Sequence, residues 1–359
     1  MKLTACTYKI PFRAPFRTAG HYFAHRTGLL FFLVYDDGSQ IVSEAAPLPG
    51  FSEETLEDVL RYLSDHPDWY SFLDDAHLPG FETSIPASLQ FACSVLWLKH
   101  KAKQSQTNIA VLLGAAPSDS LAVNAAIGLG TTEDLIRKTE EAAAQGYRTI
   151  KYKISGEGTT LFEALSHLRE SQPGLRFRLD ANGCWQPDEA ASVLRKFEGF
   201  GIEYCEQPVS PADDQRLNRL RSLTRIPVAA DESARTLADV KRIIKEKLAD
   251  VLILKPMICG SVGNLLDILK MAESAGLCTV FTTSLDSAIA RRDTALLASA
   301  LCKTDTAHGL STGALLASDT LTNADPIENG RFLTGSIPLT LNPDLLNFSL
   351  LEQVYERAL

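Results

Sequence analysis

Several features that would point away from a plain cytosolic protein are missing. The seven cysteines are scattered at positions 6, 93, 184, 205, 259, 278 and 302, with no CxxC spacing among them. An odd count without such spacing reads as buried, reduced thiols rather than a disulfide framework. No apolar run approaches the ~20 residues of a membrane span. The start, MKLTACTYKIPF, has one lysine but no apolar core of signal-peptide length. A cytoplasmic protein with no membrane partner is therefore expected. No Lys/Arg-rich block offsets the formal net charge of -9, so a nucleic-acid partner is not expected either. No low-complexity segment occurs. What is there is a globular composition, 45% hydrophobic and 22% charged, in 359 residues. That length suffices for a barrel and a second domain.

Residues 1–45 read as β. TGLLFFLVYDDGSQIVSEAA has the form of a hairpin turning at Asp36-Asp37-Gly38-Ser39. The stretch FRTAGHYFAHRTG before it reads as a polar loop able to close over a site, with His21 and His25 in it. After the turn Pro47–Ser52, Ser52 with Glu54 is placed to start a helix. IPASLQFACSVLWLKHKAK reads as a second helix, apolar enough to be buried between domains. This makes residues 1–110 an α+β unit. Beyond it strands and helices alternate, which predicts parallel strands with right-handed crossovers, seven or eight of them closing a (β/α) barrel over 111–329. The tail from 330 to 359 leaves that rhythm and is expected to pack back on the first unit.

Within the barrel region TIKYKIS, RFRLDAN, IEYCEQPV, PVAADES and LILKPMICG each end at an ionisable residue. These are Lys151 with Lys153, then Asp180, Glu206, Asp231 and Lys255. The intervals from Lys153 are 27, 26, 25 and 24 residues, one βα unit each. Strand C-terminal ends of such a barrel share one face, where active sites sit. Lys151 and Lys153, two apart on a strand, point inward together and leave Tyr152 for the outer helices. Repulsion and lost solvation then favour a neutral amine, a usable base; the alternative is a pair on a solvated edge. Asp180, Glu206 and Asp231 are a good oxygen set for a hard cation such as Mg²⁺; the alternative is three caps or loop ion pairs. Asn182 is placed to orient the site or a ligand. Glu232 should point away from Asp231 unless the strand has ended. Lys255 would face Lys153 across the mouth. Such a set suits removal of a proton α to a carboxylate, with the metal and Lys151 stabilising the enediolate charge.

KYK, DAN, CEQP, ADES and LKP at these intervals resemble the muconate-lactonizing subgroup of the enolase superfamily, over nearly the whole chain. A lysine base with Mg²⁺ is a pattern of that superfamily. The resemblance implies an α/β fold, a modified (β/α) TIM-like barrel with an α+β capping domain. It implies Asp180, Glu206 and Asp231 as Mg²⁺ ligands, Lys153 as general base and Lys255 as the lysine opposite. APLPGFSEET, TTSLDSAIA and AHGLSTG resemble the o-succinylbenzoate synthases, although Asp286 stands where a glutamate is expected. That likeness implies a lyase of menaquinone biosynthesis acting on a small-molecule carboxylate. The reaction would be syn dehydration of 2-succinyl-6-hydroxy-2,4-cyclohexadiene-1-carboxylate. Lys153 would take the α-proton, Lys151 would stabilise the resulting charge and Lys255 would stand by as a cation. Ser284 and Gly309 would flank the succinyl tail. An N-acylamino-acid racemase or dipeptide epimerase is the alternative on the same site. Epimerases carry a DxD where this chain has His308-Gly309-Leu310. Muconate-type cycloisomerisation and a non-catalytic barrel protein are further alternatives.

Overall fold

A computed structural model describes residues 1–17, 22–302 and 306–359. The first unit is a sheet of order β14-β1-β2-β3, with β1 Lys2–Arg17, β2 Tyr22–Val34, β3 Gln40–Ala45 and β14 Leu351–Ala358. At the β2–β3 turn, Asp37 Oδ1 accepts the Ser39 N–H at 2.9 Å and Gly38 takes φ 79°. The expected polar loop between β1 and β2 is instead largely strand. β1 runs to Arg17 and β2 resumes at Tyr22, because Phe16 pairs with Phe23 and Arg17 with Tyr22. His21 lies outside the described residues, and His25 sits in β2.

Helix α1 (Leu56–Asp65) starts at Thr55, not Ser52. Thr55 Oγ1 accepts the Asp58 N–H at 3.2 Å and Asp58 accepts the Thr55 N–H at 2.9 Å, a capping box. Ser52 Oγ accepts the Leu48 N–H at 2.9 Å and closes the preceding turn. Helix α2 (Ala87–Gln104) is buried along most of its length, against β3 on one side and the barrel helices α9 (Pro256–Cys259) and α10 (Val262–Ser274) on the other. A short α3 (Ile109–Leu112) leads into the second unit.

There β4 (Leu121–Ala122) and β5 (Ala125–Ile127) are followed by α4 (Thr132–Ala144), β6 (Thr149–Lys153) and α5 (Thr159–Ser171). Then come β7 (Arg176–Asp180), α6 (Pro187–Phe197), β8 (Ile202–Glu206) and α7 (Leu217–Leu223). The series ends with β9 (Val228–Ala230), α8 (Leu237–Glu246), β10 (Val251–Leu254), α9 (Pro256–Cys259), α10 (Val262–Ser274), β11 (Cys278–Phe281) and α11 (Ala288–Leu301). Strands β5 to β11 lie side by side in chain order, all parallel.

The eighth position of the ring is filled by a fragment. His308 bridges Val123 and Gly309 bridges Thr282, both in parallel sense. A Cβ at Gly309 would stand 2.6 Å from Thr282 Oγ1, so only glycine fits this close approach. His308 Nδ1 accepts the Phe281 N–H at 3.0 Å. Burial, with the Arg178 guanidinium nearby, pushes its pKa down to about 3, so it is a neutral wall residue rather than a group of the mouth.

Alternation along the strands sorts side chains. Ile150, Tyr152, Phe177 and Leu179 are buried towards the helices, each worth roughly 1.5–3 kcal/mol. Tyr204, Ala229, Val251, Ile253 and Val280 form a separate cluster. The chain then makes β12 (Ile327–Glu328), which pairs with β13 (Arg331–Phe332), and β13 pairs in turn with β4. It returns past β3, where Leu341 N donates to Gln40 O at 2.8 Å, and β14 (Leu351–Ala358) pairs antiparallel with β1. Among the described residues no helix is long and apolar enough to cross a membrane.

Candidate active site

Lys153, Asp180 and Glu206 are the last residues of β6, β7 and β8, and the register aligns Lys153 with Asp180 and Asp180 with Glu206. Asp231 and Lys255 each follow the end of β9 and β10 by one residue. The sheet therefore brings the sequence-derived set to one level at one end. Lys151 Nζ reaches Glu206 Oε1 at 2.6 Å and Asp180 Oδ2 at 2.8 Å. Lys153 Nζ reaches Asp180 Oδ2 at 2.8 Å and also donates to Asn182 Oδ1. Lys255 pairs with Asp231 Oδ1.

The carboxylate side chains are 2%, 2% and 6% exposed, whereas Lys153 is 41% exposed. Lys153 is thus the amine of the set that faces the opening. With β6 and β10 each two strands from β8, on either side of it, Lys153 and Lys255 stand on opposite sides of the ring.

The crowded lysine pair does not behave as its spacing suggests. Burial works against the Lys151 charge, but Asp180 and Glu206 outweigh it and raise its pKa well above the usual value. Lys151 is held as an ammonium because it bonds carboxylates directly instead of facing Lys153 alone. Burial also presses on Asp180, yet Lys151 and Lys153 hold it well below the ordinary range. Glu206 goes the other way: burial and then the Asp180 charge push it up to about 8. Burial and Glu232 raise Asp231 against the pull of Lys255.

Among the described residues no three acidic, His or Cys side chains form a ready metal cage, since lysines occupy the carboxylate oxygens. The donor chemistry nevertheless suits a hard divalent cation. Asp180, Glu206 and Asp231 are buried hard-oxygen donors on consecutive strand ends.

Sequence reasoning missed Gln207, although it stands in the CEQP motif. It takes φ 40°, and its Oε1 accepts the N–H groups of Asp231 at 3.0 Å and Ser233 at 3.2 Å. Its Nε2 donates to Val209 O at 2.9 Å and Ser233 Oγ at 2.8 Å. One amide thereby ties the end of β8 to the end of β9. Glu232 turns toward the site because β9 stops at Ala230, before alternation applies; its Oε1 accepts Asn182 Nδ2 at 3.1 Å. Phe51 is not mere packing, since the Lys255 ammonium lies over its ring. Trp185 is packing: it is buried, with Nε1 donating to Gly156 O at 2.9 Å.

Ser284 is buried, and its hydroxyl has no partner among the described residues. Gly309, by contrast, has its N–H on Phe281 O at 2.8 Å and its C=O on Thr282 Oγ1 at 3.0 Å, so the wall takes both groups. Asp286 meets Arg26 at 3.6 Å, and burial followed by Glu44 pushes it up to about 7. A cavity of about 350 Å³ opens beside Lys153, lined also by Leu129, Leu135, Ile154, Thr159 and Leu161.

The family described as Enolase C-terminal domain-like matches residues 134–338. The chain is 28% identical to an L-Ala-D/L-Glu epimerase of Thermotoga maritima over 289 residues, 77% of this chain and 81% of that protein. It is 31% identical to an o-succinylbenzoate synthase of Mycolicibacterium smegmatis over 230 residues, 62% of this chain and 68% of that one. Its fold is similar to that of a dipeptide epimerase from Enterococcus faecalis, solved with Mg and the dipeptide L-Leu-L-Tyr. That match has a TM-score of 0.78 and 20% identity, covering 92% of this chain and 96% of the other.

Proposed function

We propose a reaction for this chain, which belongs to the enolase superfamily and is an enzyme: Lys153 removes a proton α to a carboxylate. The substrate we assign is 2-succinyl-6-hydroxy-2,4-cyclohexadiene-1-carboxylate, dehydrated to o-succinylbenzoate in the cytoplasm on the way to menaquinone. The observation that carries the reading is the placement of Lys153, the exposed amine of the set, beside buried carboxylates and across from Lys255.

Asp180, Glu206 and Asp231 would hold Mg²⁺, the metal present in the solved dipeptide epimerase. Bound there, it supplies positive charge that makes the α C–H of a carboxylate substrate more acidic. The protein's own groups do the rest. Lys153 takes the proton, and Asp180 and Asn182 are in place to stabilise the ammonium that results. Lys151, held as a cation, stabilises the negative charge that grows on the substrate carboxylate. The C–OH bond then breaks on the same face, Lys153 returns its proton to the departing hydroxyl, and water leaves. Ring aromatisation makes the product favourable. Lys255 stands on the other face as a cation. The Ser284 hydroxyl and the cavity beside Lys153 are the candidates to receive the succinyl arm, under a capping unit formed by residues 1–110 and 330–359.

The opposed placement of Lys153 and Lys255 also suits two-base exchange, so an N-acylamino-acid racemase or dipeptide epimerase is the second reading. Loss of the cyclohexadiene absorbance with Mg²⁺ present tests the first. Wash-in of solvent deuterium at the α-carbon of N-succinyl amino acids and dipeptides tests the second. A folded protein that gives neither signal overturns both.

A further inference from the structure

Phe51 belongs to the N-terminal unit, yet its ring ends in the barrel mouth. Lys255 Nζ lies 3.8 Å from the ring centroid and is paired with Asp231, and the lysine side chain is 11% exposed. An ammonium over a ring face is held by the ring quadrupole, more strongly where water is excluded.

The loop is built to keep that ring in place. Gly50 takes φ 75°, a conformation that residues with a Cβ adopt rarely. Phe51 N and Ser52 N donate to Leu48 O at 3.0 and 2.8 Å. From the barrel, Arg235 in the segment after β9 donates to Phe51 O at 3.3 Å. Both units therefore fix the ring.

We propose that Phe51 is a positioning residue for Lys255. Its ring face fixes the ammonium on the side of the mouth opposite Lys153, so the reacting carbon lies between a base and an immobile cation. The inference rests on the reading of the mouth as a proton-transfer site. A lysine has a flexible four-carbon stem, and one ion pair leaves its head free to slide around the carboxylate. The ring removes that freedom. Leucine at the same place would keep an apolar filler but lose the quadrupole.

The test is a double-mutant cycle on the full chain with Mg²⁺: Phe51→Leu, Phe51→Tyr, Lys255→Met and the Leu/Met pair. Phe51→Leu is expected to lower kcat about 3- to 30-fold, with KM changed less than about 2-fold. Phe51→Tyr, which keeps the ring face, should restore most of that loss. In the Lys255→Met background Phe51→Leu should cost nothing further, because the shared partner is gone. An undiminished loss in that background, or a Tyr variant as impaired as the Leu variant, overturns the proposal. The same cycle read in Tm does not need turnover. A smaller Phe51→Leu shift in the Lys255→Met background supports the contact, and equal shifts overturn it. If wild type turns over neither substrate class while the Tm cycle shows coupling, the reaction reading fails and the placement of Lys255 by Phe51 stands.

Discussion

At the barrel mouth, the buried carboxylates of Asp180, Glu206 and Asp231 are met chiefly by lysine ammoniums. At the seam between β3 and α11, the buried carboxylate of Glu44 is met by fixed groups. It accepts the N–H of Ser287 and of Ala290 at 3.0 Å each, the Tyr8 hydroxyl at 2.6 Å and the Ser287 hydroxyl. Nearby Arg291 pairs with Asp319 and Asp325 at 2.6 Å each, and Lys99 bridges Asp293 and Val42 O. The residue types are the same and the outcome differs. Partners on flexible side chains can leave when a ligand arrives, whereas backbone N–H groups at a helix start cannot. The mouth sets three buried carboxylates on consecutive strand ends against side-chain ammoniums, and burial pushes Glu206 up to about 8. At the seam, the Glu44 carboxylate ties β3 to the start of α11 through backbone N–H groups.

The largest effect that would sharpen this contrast is at Lys153. Lys153→Ala should lose at least ~10³-fold in kcat while the folded state survives by circular dichroism. Near-normal turnover would break the assignment. At the seam, Glu44→Ala should cost stability instead, about 3–5 kcal/mol in chemical unfolding, because several buried donors lose their acceptor.

The pH dependence comes next. Glu206 has a folded pKa raised from 4.5 to about 8. Its contribution to stability is therefore fully present below the unfolded value and lost as pH rises through about 8. Asp286 behaves likewise between 3.8 and about 7. The metal-free protein should grow less stable across these windows. Mg²⁺ should recover the Glu206 share, leave the Asp286 share, and have no such share to recover in Glu206→Gln. Thermal melts at several pH values, with and without Mg²⁺, check this. The smallest effect is expected at Ser284: Ser284→Ala should raise KM by about 2- to 10-fold if its hydroxyl bonds substrate. An unchanged KM would return Ser284 to the wall.

Much of the mouth was legible because strand ends recur at βα intervals and because Lys151 and Lys153 obey strand alternation. The wall fragment at His308-Gly309 was harder to see. Two bridge residues carry no hydrophobic period, and only the approach of Thr282 shows why glycine is there. The strand ends Phe16–Arg17 and Tyr22–Phe23 read as loop because polar residues on an exposed strand end look like loop residues. Thr55 was passed over as a cap because Ser52 offers the same chemistry three positions earlier, and only the backbone direction separates them.

By itself, then, the sequence determined the barrel and the order and level of Lys153, Asp180, Glu206, Asp231 and Lys255 around its mouth, since strand period and βα length are local properties. Tertiary structure decided the protonation tendencies of Lys151 and Glu206, the tie made by Gln207 and the meeting of Phe51 with Lys255. These depend on which charges, amides and rings are buried against one another across some 25 to 200 residues of chain, and no local pattern records that distance.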